Sequence, residues 1–161
     1  MKFSSTEEYG IRCLIRIAQL HKLGKSFTIP EISKAEGISQ HNTAKILRQL
    51  RLGGFLESER GQSGGYYLAK EPEDIKINDV LNSLGGRLFD SSFCDAHAGT
   101  PDICTHTINC SVRSLWKLIQ NAVDTVVKDM TLKDLIGNEH ETYEKFSENI
   151  EFINNFNSAN Y

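Results

Sequence analysis

Apolar residues return at three- and four-residue steps from Glu8 to Leu23, at Ile11, Leu14, Ile15, Ala18 and Leu23, and predict an amphipathic helix. Cys13 falls inside it, where a lone helical cysteine reads as a small buried hydrophobe. Gly24-Lys25-Ser26 breaks the period. Phe27-Thr28-Ile29 then reads as a short extended piece, and Pro30 suits the first turn of a new helix. That helix runs from about Pro30 to Glu36, a tight connection follows at Gly37-Ile38-Ser39, and a second helix runs from about Gln40 to Leu52, ending at Gly53-Gly54. Ser39 is the expected N-cap, and Ile32, Ala35, Ile38, Ile46, Leu47 and Leu50 are placed to pack the pair as a helix-turn-helix.

Phe55-Leu56-Glu57-Ser58 and Tyr66-Tyr67-Leu68 read as strands around the glycine-rich tip ERGQSGG. A helix-turn-helix followed at once by such a hairpin is the layout of winged-helix DNA binders, whose second helix enters the major groove while the wing reaches backbone or minor groove. DIKINDVLNSLGG gives one more short helix. From Ser111 a long helix carries Val112, Leu115, Trp116, Ile119, Val123, Val126, Val127 and Met130 on one side, a stripe that must be buried against something. A homodimer through the 111–130 helix would do this and would present two reading heads. The fold class is therefore mainly α with a small β-wing: a winged helix-turn-helix over 1–86, a cysteine-rich loop over 87–110, a dimerisation helix over 111–136 and an acidic C-terminal tail over 137–161.

Charge sharpens the picture. Residues 1–70 hold 11 Lys and Arg against 6 Asp and Glu, whereas residues 71–161 hold 7 against 15, so the total of −3 conceals a basic first half and an acidic second. A basic half suits a polyanion such as double-stranded DNA. Gln40, His41, Asn42 and Lys45 stand off the apolar face in the first turns of the second helix, with side chains able to bond base edges or phosphates, and Arg48, Arg51 and the wing's Arg60 are placed for phosphate. No stretch has the length of a membrane span or the form of a signal peptide, so the expected location is cytoplasmic.

The segment CDAHAGTPDICTHTINC, residues 94–110, holds Cys94, Cys104 and Cys110 with His97 and His106. In a reducing compartment such clustering points to metal binding or redox chemistry rather than structural disulfides. An iron–sulfur cluster, a structural zinc site completed by a histidine and a metal-free thiol sensor all begin from these residues. An enzyme is not expected: Cys104 with His106 has no orienting third group or oxyanion hole beside it.

MKFSSTEEYGIRCLIRIA, IPEISKAEGIS, ILRQLRLGGFLES and RGQSGGYYLAK, followed by cysteines just ahead of a long helix, resemble the Rrf-two family of bacterial transcription regulators, in particular its IscR- and NsrR-like iron–sulfur branch. The resemblance implies a dimeric winged-helix repressor whose operator affinity follows redox, nitric oxide or iron–sulfur status. It also implies a cluster held by Cys94, Cys104 and Cys110. The family's five-residue spacing holds between Cys104 and Cys110, but nine residues separate Cys94 from Cys104. IscR-like members place a histidine three residues after the last cysteine, where this chain has Arg113, which does not ligate. NsrR-like members use an N-terminal carboxylate from the partner subunit, and Glu8 stands at that place, with His97, His106 and His41 as further candidates. Three thiolates and one carboxylate fit a four-iron cluster, one ligand per iron, better than a two-iron one.

Overall fold

The computed structural model describes residues 4–21, 24–61, 64–85, 87–90, 92–96, 104 and 109–147. Helix α1 spans Ser5–His21 and so starts three residues before the sequence periodicity does. The cause is a local cap: Ser4 Oγ accepts Glu7 N–H at 3.4 Å, and the Glu7 carboxylate accepts Ser4 N–H at 2.5 Å. Residues 22 and 23, at the other expected end, lie outside the described residues.

Helix α2 (Ile29–Glu36) is opened by a second capping box, Thr28 with Glu31, which puts Pro30 in its first turn. Gly37 closes it at φ +67°, a left-handed conformation that suits glycine, and lets the chain reverse into α3 (Gln40–Leu52). Ser39 caps α3 by accepting Asn42 N–H at 3.3 Å. Ile32, Ile38, Ile46, Leu47 and Leu50 are buried as expected, but Ala35 is exposed, because α2 turns that face to solvent.

Strands β1 (Leu56–Ser58) and β2 (Tyr66–Leu68) pair antiparallel with Leu56 opposite Leu68. Phe27 adds a bridge on the free edge of β2, exchanging both backbone hydrogen bonds with Tyr66 at 2.8 and 2.7 Å. The extended piece expected at Phe27 is thus part of the wing. A Cβ on Gly65 would lie 2.6–2.8 Å from the Phe27 backbone, so only glycine permits this approach.

A 3-10 turn (Pro72–Asp74) leads to α4 (Ile77–Leu84), and α5 (Phe93–Ala96) precedes the long helix α6 (Ser111–Val127). The expected 111–136 helix is two elements. After Val127 the chain turns, Met130 O accepts Ile77 N–H, Leu132 N–H reaches Ile75 O, and α7 (Leu132–Ile136) drops back onto α1. Thr131 and Asp134 cap α7, and Leu132 is fully buried in a core shared with Leu14, Ile17, Ile32, Leu47, Leu50, Leu56, Ile75 and Val80. Residues 139–147 are helical and bury Phe146, so the first part of the acidic tail packs on the head. No helix among the described residues is long and apolar enough to cross a membrane.

Candidate nucleic-acid interface and cysteine segment

Every polar residue proposed on the second helix faces out. Gln40, His41, Asn42, Lys45, Arg48 and Arg51 are exposed along α3, which carries no acidic residue, and Arg60 is exposed on the wing. The opposite face of α3 is fixed by Thr43, whose buried hydroxyl donates to Ser39 O at 3.0 Å, and by Ile46, Leu47 and Leu50. The helix therefore has one roll angle, and it presents its Ser39-capped N-terminal turn with Lys45, Arg48 and Arg51 behind it. Wing residues 62 and 63 lie outside the described residues.

Two contacts that the sequence did not signal hold this reading surface. Glu36 receives Arg12 Nε at 3.2 Å and Arg16 Nε at 2.6 Å, joining the end of α2 to α1. Gln49, on the inner side of α3, donates its amide to Ser83 O of α4 at 2.8 Å. Arg12 and Arg16, one helical turn apart, were the only available hint of the first.

All four cysteines are free thiols. Cys13 is fully buried, and burial, reinforced by the Glu36 carboxylate and opposed by Arg12, pushes its thiol up to about 12, which fits the inert role expected for it. Cys94, on α5, Cys104 and Cys110 are all partly exposed. Cys110 caps α6: its Sγ accepts Arg113 N–H at 3.3 Å. Glu8 is exposed on the first turn of α1, while its neighbour Glu7 is consumed by the cap. Within one chain, no group of three or more His, Cys, Asp or Glu among the described residues is gathered as a metal site, so the proposed ligands are not brought together in a single protomer. His97 and His106 lie outside the described residues, and His41 stands exposed on α3.

The base of the cysteine segment is well tied. Phe93 packs between Phe89 and Trp116, ring centroids at 5.3 and 6.1 Å, so Trp116 serves packing as expected. Gln120 accepts two backbone N–H groups of this segment.

A helix-turn-helix whose polar face is exposed, with a two-stranded wing beside it and a long helix beyond, defines the class: a winged-helix DNA-binding regulator. The chain belongs to the Rrf2 family, described as iron-dependent transcriptional regulator, whose model matches residues 3–138. It is 30% identical over 146 residues to the transcriptional regulator CymR of Bacillus subtilis, covering 89% of this chain and 97% of that one. The solved structure of B. subtilis CymR, the global cysteine regulator, superposes with a TM-score of 0.66 at 27% identity over 84% of this chain and 96% of that one. The structure of IscR from T. potens superposes with a TM-score of 0.64 at 28% identity, over 84% and 86% respectively. The family is one of regulators rather than enzymes, and transcription regulation through DNA is this chain's activity.

Proposed function

We propose that this chain is a homodimeric regulator whose operator affinity is switched by an iron–sulfur cluster bound by Cys94, Cys104 and Cys110 of one protomer and Glu8 of its partner. The observation that carries the reading is the contrast among the cysteines. The three in the segment are partly exposed, one of them at the start of α6 with its Sγ taking the Arg113 N–H, while the fourth is sealed in the core. The donor set fits by its chemistry, with the three thiols to be gathered when the cluster binds: soft thiolates suit an iron–sulfur core, and a single carboxylate leaves one iron more weakly held. When bound, such a cluster supplies a centre sensitive to oxidants and small ligands. Glu8 at the first turn of α1 then ties that centre to the helix that Arg12 and Arg16 join to α2. The exposure of Val112, Leu115 and Leu118 on α6, 58%, 52% and 67%, supports the homodimer in this reading, since a second copy would cover them. The deciding experiment is anaerobic absorption with iron and sulfide analysis on wild type and Glu8→Ala. A brown protein with matched iron and sulfide, altered in the variant, is expected. A protein that stays colourless after reconstitution removes the cluster.

A second reading has a specific observation behind it. The likeness to CymR, a global cysteine regulator, supports a cluster-free regulator in which the same exposed thiols respond to redox state. Mass spectrometry after mild oxidation of the metal-free protein tests it: a reversible disulfide among Cys94, Cys104 and Cys110 is the expected product. Zinc in place of iron, giving a structural site, would show as a colourless protein with one zinc per segment.

A further inference from the structure

Gln120 is the one buried residue of α6 among the described residues, 4% exposed on a helix whose other residues are half-buried or exposed. A buried amide is stable only when its hydrogen bonds are made. Here Oε1 accepts Leu88 N–H at 2.7 Å and Phe89 N–H at 3.2 Å, and Nε2 donates to Asp124 Oδ1 at 2.8 Å. The other Asp124 oxygen accepts Arg87 Nη2 at 2.9 Å, and Arg87 Nη1 donates to Asn82 Oδ1 of α4 at 3.1 Å. The next residue of α4, Ser83, holds Gln49 of α3. Leu88 and Phe89 lead into the segment that carries Cys94, and Phe93 between them and Cys94 rests on Trp116. Hydrogen bonds therefore run from the base of the cysteine segment, through Gln120, Asp124 and Arg87, to Asn82 of α4, and the carbonyl of the adjoining Ser83 takes the Gln49 amide of the reading helix.

We propose that Gln120 is a positioning residue that couples the cysteine segment to the reading helix, so that a change at one end shifts the other. The inference deepens the switch proposed above and rests on it only for the identity of the signal. Linkage makes the coupling reciprocal: if the state of the segment alters DNA affinity, bound DNA must alter the segment.

The test uses that reciprocity. Hydrogen exchange of the 87–93 peptide is measured by mass spectrometry in the full-length, metal-free protein, with and without a duplex selected from a random-sequence library by the wild type. In the wild type, DNA is expected to change exchange of this peptide by about fivefold or more. In Gln120→Leu the change is lost, and it is also lost in Arg87→Ala, where the altered side chain is partly exposed and folding is not at stake. Wild-type exchange that ignores DNA, or a response that survives in Arg87→Ala, overturns the coupling. Anaerobic reconstitution of the same samples separates it from the cluster reading. A colourless wild type whose 87–93 peptide responds to DNA removes the cluster and keeps the coupling, and a cluster-loaded wild type whose peptide does not respond removes the coupling alone.

Discussion

Arg16 Nε donates to Glu36 Oε1 at 2.6 Å, joining the middle of α1 to the last residue of α2 immediately before the turn into the reading helix. Arg12 adds a second hold, with Nε on the same carboxylate and Nη2 on the Glu36 backbone carbonyl at 2.6 Å. Glu36 is 9% exposed and both arginines about 40%, so the carboxylate is the buried partner and the cations keep some solvent. Glu36→Ala is expected to cost about 1–2 kcal/mol, below a fully buried pair because the arginines can rehydrate. Urea denaturation followed by circular dichroism measures it. A loss below about 0.3 kcal/mol would mean that apolar packing alone fixes α1 on α2.

Lys45, Arg48 and Arg60 are exposed on α3 and the wing with nothing acidic on α3 to compete for them. Each phosphate that a cation neutralises releases counterions, so each lost contact lowers the slope of log affinity against log salt by about 0.9. Lys45→Ala and Arg60→Ala are expected to weaken DNA binding and to flatten the slope by about that amount apiece. Fluorescence anisotropy over a salt series reads both. A variant with wild-type affinity and slope takes its residue out of the interface.

Gly65 lies against the backbone of Phe27, where a methyl group would sit 2.6 Å from the carbonyl carbon. Backbone cannot rotate away as a side chain can, so Gly65→Ala must push Phe27 and β2 apart and break the Phe27–Tyr66 pair. The expected cost is about 1–3 kcal/mol by overpacking. Because the strain falls at the root of the wing, DNA affinity should drop with the Arg60 contribution, and Arg60→Ala on top of Gly65→Ala should add little. Full additivity of the two in anisotropy titrations would show that the wing keeps its place without the pair.

The elements whose determinants are local were legible. Gly37 at the turn, Ser39 at the cap and the apolar face through Ile46, Leu47 and Leu50 lie within fifteen residues, and the structure places them as the spacing implied. The apolar period of α6 misled at its far end. Val126, Val127 and Met130 continue the stripe, yet Thr131-Leu132-Lys133-Asp134 is itself a helix start, and Leu132 is drawn into the head by Ile75. The Glu36 clamp and the Gln120 hub join residues 20 to 37 apart, a distance over which no local pattern announces a partner.

Cys13 gives a pH signature. Burial raises its thiol from the ordinary value of about 9 to about 12, so the native state favours the neutral form. The resulting stability is fully present below pH 9 and is lost as pH rises from 9 toward 12, by at most about 1.4 kcal/mol per pH unit. Cys13→Ala should show a shallower decline than wild type over the accessible part of that window, about pH 9 to 10.5, in urea titrations. At pH 8 iodoacetamide should modify Cys94, Cys104 and Cys110 in the metal-free native protein and reach Cys13 only in denaturant. Alkylation of Cys13 at the rate of the others would mean that α1 opens readily.

Leu115 is 52% exposed and Val112 58%, both near the N-terminal end of α6, with Trp116 and Ile119 half-buried on the same side. A contiguous apolar strip of this kind on a regulator is stable in water only when covered, and a second copy covers it symmetrically. Leu115→Glu places a carboxylate in the centre of that strip and, in a twofold dimer, sets it close to its own copy. The head core of α1–α4 and α7 does not include Leu115, so thermal stability of the head should change little. The variant is expected to run as a monomer by light scattering at micromolar concentration, where the wild type runs as a dimer. Its DNA affinity should fall by at least about a hundredfold, because two linked heads bind one duplex with the second contact made at high effective concentration. A wild type already monomeric at that concentration, or a Leu115→Glu protein that stays dimeric, would move the dimer contact off this face of α6.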